Sequence, residues 1–367
     1  MKRVLLVYTL LFFAALSIFG QTPKDSKIES GNLSLGIKSI SFIVDNEFFN
    51  PIVKGYTMMG FFLQPELIYS PSAKVSLHAG VHVLKYDGSA KFSQIKPVFS
   101  TTLNFSKRTS LTLGTLSGPE KHHLYDPHFN FERLYDIYVE DGIQLRHIDD
   151  QLFSDLWISW ENFIFKGDSA REQFTAGESF RYKSKPITRF MNFEVPVQIQ
   201  LKHFGGQISE YSQNVVSYLN FAGGLRLNFN ISGQKYGQAA IEYLQFAHTL
   251  SPGDSIDGIA RGKASWTRLL YNYKSLHFEM GYWKGHNFYA PNGNQIFSNV
   301  SDFNPGYVLP ERRIVTTSCS IRFFPTNSLE LYLGVILYYD MDLNRMDQSY
   351  FLHLNFDKLI SLASRKR

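Results

Sequence analysis

At 367 residues and a formal charge of +5, the chain is long enough for one large domain or two ordinary ones. Its 37 basic and 32 acidic residues nearly balance, which argues against electrostatic binding of nucleic acid. The single cysteine, Cys319, excludes an internal disulfide, and the 16% aromatic content, with 32 Phe and 21 Tyr, suits the interface girdles of a membrane barrel.

Lys2 and Arg3 precede an apolar run over 4–19, and Ser17, Gly20 and Gln21 then offer a small-residue cleavage region. That order predicts a secretory signal peptide over residues 1–21. Its removal leaves 22–367 and takes away two bases, so the formal charge falls to +3 (35 against 32). No later stretch approaches the ~20 apolar residues of a spanning helix. The best one, Leu331–Tyr339, is nine residues long and suits a tilted transmembrane strand. Residues 22–33 leave no room for a folded plug domain ahead of the first strand.

From there the chain alternates in period 2. Val75, Leu77, Ala79, Val81 and Val83 interleave with Ser76, His78, Gly80 and His82. Met191 to Lys202, Leu219 to Phe229 and Leu329 to Leu337 repeat the pattern, each with one apolar and one mostly polar or small parity. Short polar turns at 71–73, 106–108, 149–150, 232–233, 272–275 and 325–327 separate longer segments at 45–57, 86–94, 118–135, 166–173, 204–213, 249–260, 286–312 and 341–348. Short turns on one side and long loops on the other predict an all-β fold. It is a single transmembrane antiparallel up-and-down β-barrel of about sixteen strands, with short periplasmic turns and long extracellular loops. A soluble exported β-sandwich shares the period and differs in which face is greasy outward. Pro65, Pro97 and Pro196 fall inside strands, and each removes a ladder hydrogen bond. The last amphipathic strand, 350–356, is followed by 357–367, which reads as a periplasmic tail or as a sign that the closing strand lies elsewhere.

With the greasy parity toward lipid, the lumen receives Glu66, Glu140, Asp155, Glu161, Glu194, Glu279 and Glu330, and the cations Lys96, Arg146, Lys202, Arg226, Arg268 and Arg322. Opposed charges there either set a transverse field that filters solutes or pair off to fill a closed interior. Trp157 shares parity with Asp155 and Glu161, an aromatic face beside carboxylates that suits a saccharide path. In the loop 118–135, His122, His123, Asp126 and His128 are metal-ligating types, but neither a cysteine nor an HExxH helix accompanies them. No metal and no cofactor is expected. Two groups carry hydrolase-like residues: His147 with Asp149 and Asp150 at a periplasmic turn, and His248 with Ser251 near an outer loop. Neither completes a nucleophile, base and orienting group, so the chain is expected not to be an enzyme.

The end of the signal at Gly20-Gln21, the Tyr- and Phe-rich alternating strands and the segment Trp157–Asp168 together resemble the porin-like outer-membrane β-barrels of Bacteroidetes-type bacteria. The resemblance implies an outer-membrane location after export, with membrane lipid and the barrel assembly machinery as partners. It leaves a homo-oligomer open. The expected function is passive diffusion of small polar solutes, saccharides among them, through a mixed-charge lumen. The alternative is a non-conducting structural, assembly or secretion-associated barrel that binds protein partners.

Overall fold

A computed structural model describes residues 31–206, 215–231, 237–324 and 328–363. Among these, sixteen antiparallel strands close into one barrel in which each strand bonds to its sequence neighbours. They are β1 (Asn32–Glu47), β2 (Thr57–Ser72), β3 (Val75–Tyr86), β4 (Gln94–Asn104), β5 (Thr109–Thr115), β6 (Asp141–Ile148), β7 (Leu152–Asn162) and β8 (Glu172–Lys183). The wall continues through β9 (Met191–Gly205), β10 (Val216–Asn230), β11 (Gly237–Leu250), β12 (Arg261–Tyr273), β13 (Leu276–His286), β14 (Glu311–Phe323), β15 (Leu329–Asp340) and β16 (Arg345–Ala363). The fold class, strand number and up-and-down order expected from the sequence are those observed. The proposed signal peptide and the turns at 232–233 and 325–327 lie outside the described residues.

Burial shows why period 2 gives a membrane wall. Along β11, Ala240, Glu242, Leu244, Phe246 and His248 are buried, while Ile241, Tyr243, Gln245 and Ala247 between them are exposed. Ile and Tyr facing outward, with Glu and His inside, is the opposite of a soluble sandwich. Connections at 73–74, 105–108, 149–151 and 274–275 are short, whereas those at 48–56, 116–140 and 287–310 are long and mark the outer end.

Prolines cost rungs and leave register unchanged. The β2–β3 ladder skips from Leu63↔Val83 to Glu66↔Gly80 around Pro65, and the β9–β10 ladder skips from Val197↔Gly223 to Glu194↔Arg226 around Pro196. Gly80 makes the close approach tolerable, since a Cβ there would lie 2.3 Å from the Pro65 carbonyl oxygen. Pro97 keeps its place opposite Val81. The C-terminal expectation is corrected: the closing strand is β16 itself, which continues past 356 to Ala363 and pairs with β1 from Leu33↔Ala363 to Glu47↔Gln348. A sixteen-residue β1 needs that length of partner.

The outer half of the lumen is packed. Three long connections fold inward and bond to one another. The amide of Asn130 donates to the Asn292 carbonyl (2.7 Å) and that of Asn294 to the Asp126 carbonyl (2.8 Å). The Asp302 amide donates to Ile52 (2.9 Å), and the Ser301 hydroxyl donates to Pro51 (2.8 Å). Beneath these bonds lie two apolar clusters. One joins Phe246, Trp266, Trp283, Phe288, Ile296 and Phe297; the other joins Phe42, Phe62, Leu84, Leu134, Tyr135 and Tyr138. Toward the periplasmic end, two adjoining recesses of about 290 and 430 Å³ share Lys38, Lys121, Tyr138 and Asp357 as lining.

Candidate functional site

The interior brings the sequence-singled charges into contact with partners. Asp155 on β7 is fully buried, accepts from the Gln144 amide at 3.0 Å, and lies 3.7 Å from Arg146. It is also 3.1 Å from His122 Nδ1, whose Nε2 is 2.9 Å from Glu140. Glu140 itself is not on a wall strand; it ends the 116–140 connection just before β6. Parity read across a strand start cannot detect that boundary. Glu161 binds Lys202 and accepts from Thr175 at 2.5 Å. Arg268 is clamped by Glu242 (2.5 Å) and Glu279 (3.2 Å). Glu66 accepts from Gln64 at 2.6 Å and lies 3.1 Å from His78. Glu194 accepts from Asn228 at 3.1 Å, and Arg226 donates to the same Asn228 at 2.8 Å. Arg322 and Glu330 pair at 3.4 Å near the periplasmic end, and Lys96 stands half-buried opposite His82.

Trp157 does not offer a sugar platform. The His122 ring stacks on it with centroids 3.8 Å apart, which occupies one indole face. Nor do the loop histidines converge. His123 packs edge-on against Phe153, while His128 is buried between Phe246 and Phe288. The most completely buried pair was missed from the sequence: Arg312 Nε donates to Asp340 at 2.7 Å, and Nη1 donates to the Ile296 and Ser298 carbonyls. Alternation puts Arg312 on the inward parity of β14, but the inward-folding 287–310 connection that completes its shell has no sequence signature.

Two further groupings stand apart from this packing. At the outer mouth, Glu132 accepts from the Asn46 amide and the Tyr56 hydroxyl, and Asn46 in turn accepts from Ser349 at 2.6 Å. Tyr56 lies just outside β2. Its partial burial, reinforced by the Glu132 carboxylate, raises its pKa and keeps the phenol a donor.

The second lies on the outside of the wall. His203 and Ser217 are register partners at the outer ends of β9 and β10, with His203 Nδ1 2.8 Å from Ser217 Oγ. They belong to the parity of Leu201 and Leu219, the lipid-facing one, whereas Lys202 and Asn220 next to them are buried in the lumen. Phe174 stacks on the His203 ring at 4.7 Å and Trp160 stacks on Phe174 at 5.1 Å, so an aromatic row leads to the pair. Of the two hydrolase-like groups seen in the sequence, the His248–Ser251 one does not form, whereas His147 meets Asp149 and its Nδ1 lies 2.9 Å from Thr109 Oγ1. The His248 Nδ1 faces inward and accepts from the Tyr289 amide at 3.2 Å, while Ser251 Oγ accepts from the amide of Ser217 at 2.9 Å. His147 lies 3.4 Å from Asp149 at the periplasmic turn, remote from the outer leaflet. His203 and Ser217 escaped notice because fourteen residues and an outer connection separate them, and only strand register joins them.

A closed antiparallel barrel with a greasy exterior defines an outer-membrane β-barrel protein. The chain belongs to the lipid A 3'-O-deacylase-type family, whose model matches residues 23–365. Among solved structures, the chain resembles a loop-L8 deletion form of OmpT, an outer membrane protein of Vibrio cholerae. The TM-score is 0.54 at 9% identity, covering 90% of this chain and 100% of that one. It also resembles Pseudomonas aeruginosa OprD, with a TM-score of 0.51 at 13% identity over 94% and 100% of the two chains. A trimer form of the Vibrio protein matches with a TM-score of 0.51 at 8% identity over 90% and 100%. These likenesses concern the fold. No curated protein matches the chain. The family match overturns the expectation that the chain is not an enzyme, because the family is described by an activity. That expectation rested on contiguous motifs, and a barrel assembles its groups across strands.

Proposed function

We propose that the protein is an outer-membrane hydrolase that removes an ester-linked acyl chain from lipid A or a closely related acylated glycolipid. The observation that carries this reading is the family match over residues 23–365. Two features support it. The interlocked outer connections oppose free diffusion of solutes, the role expected from the strand pattern. A Ser–His contact on the lipid-facing rim stands where the ester of an outer-leaflet glycolipid is within reach, whereas His122 is sealed inside.

The chemistry follows from that contact. His203 Nδ1 takes the Ser217 hydroxyl proton as Oγ adds to the ester carbonyl carbon. Collapse breaks the bond to the sugar oxygen, which leaves with the proton held by His203. Water then adds to the acyl-serine with its proton passing to His203, which returns it to Ser217 Oγ as the acyl–oxygen bond breaks. Free fatty acid and the deacylated glycolipid are the products. The Phe174 ring limits rotation of His203, and Trp160 extends an apolar surface for the acyl chain. Export with loss of residues 1–21, and assembly of 22–367 into the membrane by the barrel assembly machinery, complete the reading.

The test is incubation of purified, heat-modifiable protein with lipid A in mixed micelles, read by mass spectrometry of the glycolipid and of released fatty acid. Loss of one acyl chain supports the reading, and an unchanged lipid A mass overturns it. Hydrolysis by wild type that Ser217→Ala leaves intact would keep the activity and move its chemistry to the Glu132–Asn46 cluster at the mouth.

A further inference from the structure

Cations gather on the outward face of the barrel where β12, β13 and β14 reach the outer end. Arg261 and Lys263 are exposed on β12, Lys284 on β13 and Arg313 on β14. Register makes them neighbours: Lys263 is opposite His286, and Lys284 is directly opposite Arg313. Like charges placed directly across a strand pair repel one another, so an anion bound beside them is favoured. The local carboxylates only partly supply it. Glu311 binds His286 at 2.7 Å and Asp342 binds Arg313 at 2.6 Å, which sets four permanent cations against two carboxylates. Among the described residues no ion pair engages Arg261, Lys263 or Lys284. Tyr282, two residues inward from Lys284 on the same face, is exposed, as is Tyr243. Exposed tyrosines with cations just beyond them are the order expected at a membrane interface, ring at headgroup level and charge above it.

We infer that the outward face of β12–β14 is a docking surface for the phosphate-bearing headgroup of an anionic outer-leaflet glycolipid. Lys263, Lys284 and Arg313 hold the phosphate, Arg261 stands at the rim, and the tyrosines seat the sugar–acyl junction. The inference rests on the deacylase reading for the identity of the glycolipid, and names how that substrate is gripped. Arg261 is the register partner of Thr249 on β11, the strand next to the one bearing Ser217, so the cationic face and the Ser–His pair share one sector of the rim. Asp342 already meets Arg313, and the anion supplies the counter-charge that Lys263 and Lys284 lack among the described residues.

The experiment is native mass spectrometry of the full chain in detergent, titrated with bis-phosphorylated lipid A and with the same lipid after complete removal of phosphate. Wild type is expected to prefer the phosphorylated form, with a preference that declines as salt rises. The double variant K263Q/K284Q is expected to bind it on the order of thirtyfold more weakly, from roughly fivefold per cation at a membrane surface. A control, K85Q on the distant outer end of β3, is expected to bind as wild type, and heat-modifiable migration checks that each variant is folded. Equal binding of the two lipids, or full binding by K263Q/K284Q, overturns the docking surface. Binding that persists in protein unable to release fatty acid sinks the deacylase reading alone. Release that continues without phosphate preference sinks the docking surface alone.

Discussion

The inside and the outer rim of this barrel handle charge in opposite ways. Inside, Arg312 meets Asp340, Arg268 is held by two glutamates, and Lys202 meets Glu161. Each of these three is neutralised in place, as burial demands, because an unpaired charge out of water is far more costly than a paired one. On the rim, Lys284 faces Arg313 and Lys263 stands without an ion-pair partner among the described residues. Solvent and headgroups screen those charges, so the fold does not require that they be balanced. Paired interior charges are therefore structural. An unbalanced set on a lipid-facing surface points outward, to something that binds.

Several measurements would break or sharpen that contrast. The largest effect is expected for Ser217→Ala, which should lower fatty-acid release by roughly 10²–10⁴-fold with unchanged heat-modifiable migration. A similar loss from Glu132→Gln instead would shift the active surface from rim to mouth. Next is Arg312→Met, which leaves Asp340 buried and unpaired and should cost about 3–5 kcal/mol in urea unfolding. Lys263→Gln should change stability by no more than about 0.5 kcal/mol in the same assay. Comparable costs for the two would abolish the distinction between interior and rim.

Closure of the outer half can be tested by liposome swelling with graded neutral sugars. Wild type should give little swelling, and a variant shortened across the 116–140 connection should swell more. Rapid size-dependent swelling of the wild type would reinstate a diffusion channel.

A smaller effect concerns the periplasmic turn at 149–151. Burial of Asp149 raises its pKa, but the amides of Gln151 and Leu152 and the His147 side chain outweigh it and hold the carboxyl below its ordinary range. A lowered folded value gives stability that is full above the unfolded pKa of about 3.9 and is lost as pH falls through the folded one. Asp149→Asn should therefore cost about 1 kcal/mol at neutral pH and much less near pH 2. Least in effect is labelling of Cys319, on the outward parity of β14 beside Phe278 and Val335. In intact membranes an apolar maleimide should react with it and a charged thiol reagent should not.

How much of this was legible can be judged from single residues. Leu219, Phe221, Leu225, Leu227 and Phe229 announced β10, because the side-chain period of a strand is a local property. Polar segments announced the connections at 149–151 and 274–275 for the same reason. Whether the lumen conducts was left open by the sequence, because parity cannot tell an open lumen from one into which connections carry Phe288, Phe297 and Tyr135. The expectation of no catalysis was drawn from contiguous motifs, whereas His203 and Ser217 meet only across the β9–β10 ladder.

By itself, then, the sequence determined the strands, their number, the face each turns to lipid and the ends at which long connections lie. Those follow from alternation along a few residues and from the need to bond every backbone group inside a membrane. The tertiary structure alone decided that the outer lumen is packed, that buried charges find partners, and that Lys263, Lys284 and Arg313 stand together near a Ser–His pair. Those depend on register and on barrel closure, which make neighbours of residues tens of positions apart in the chain.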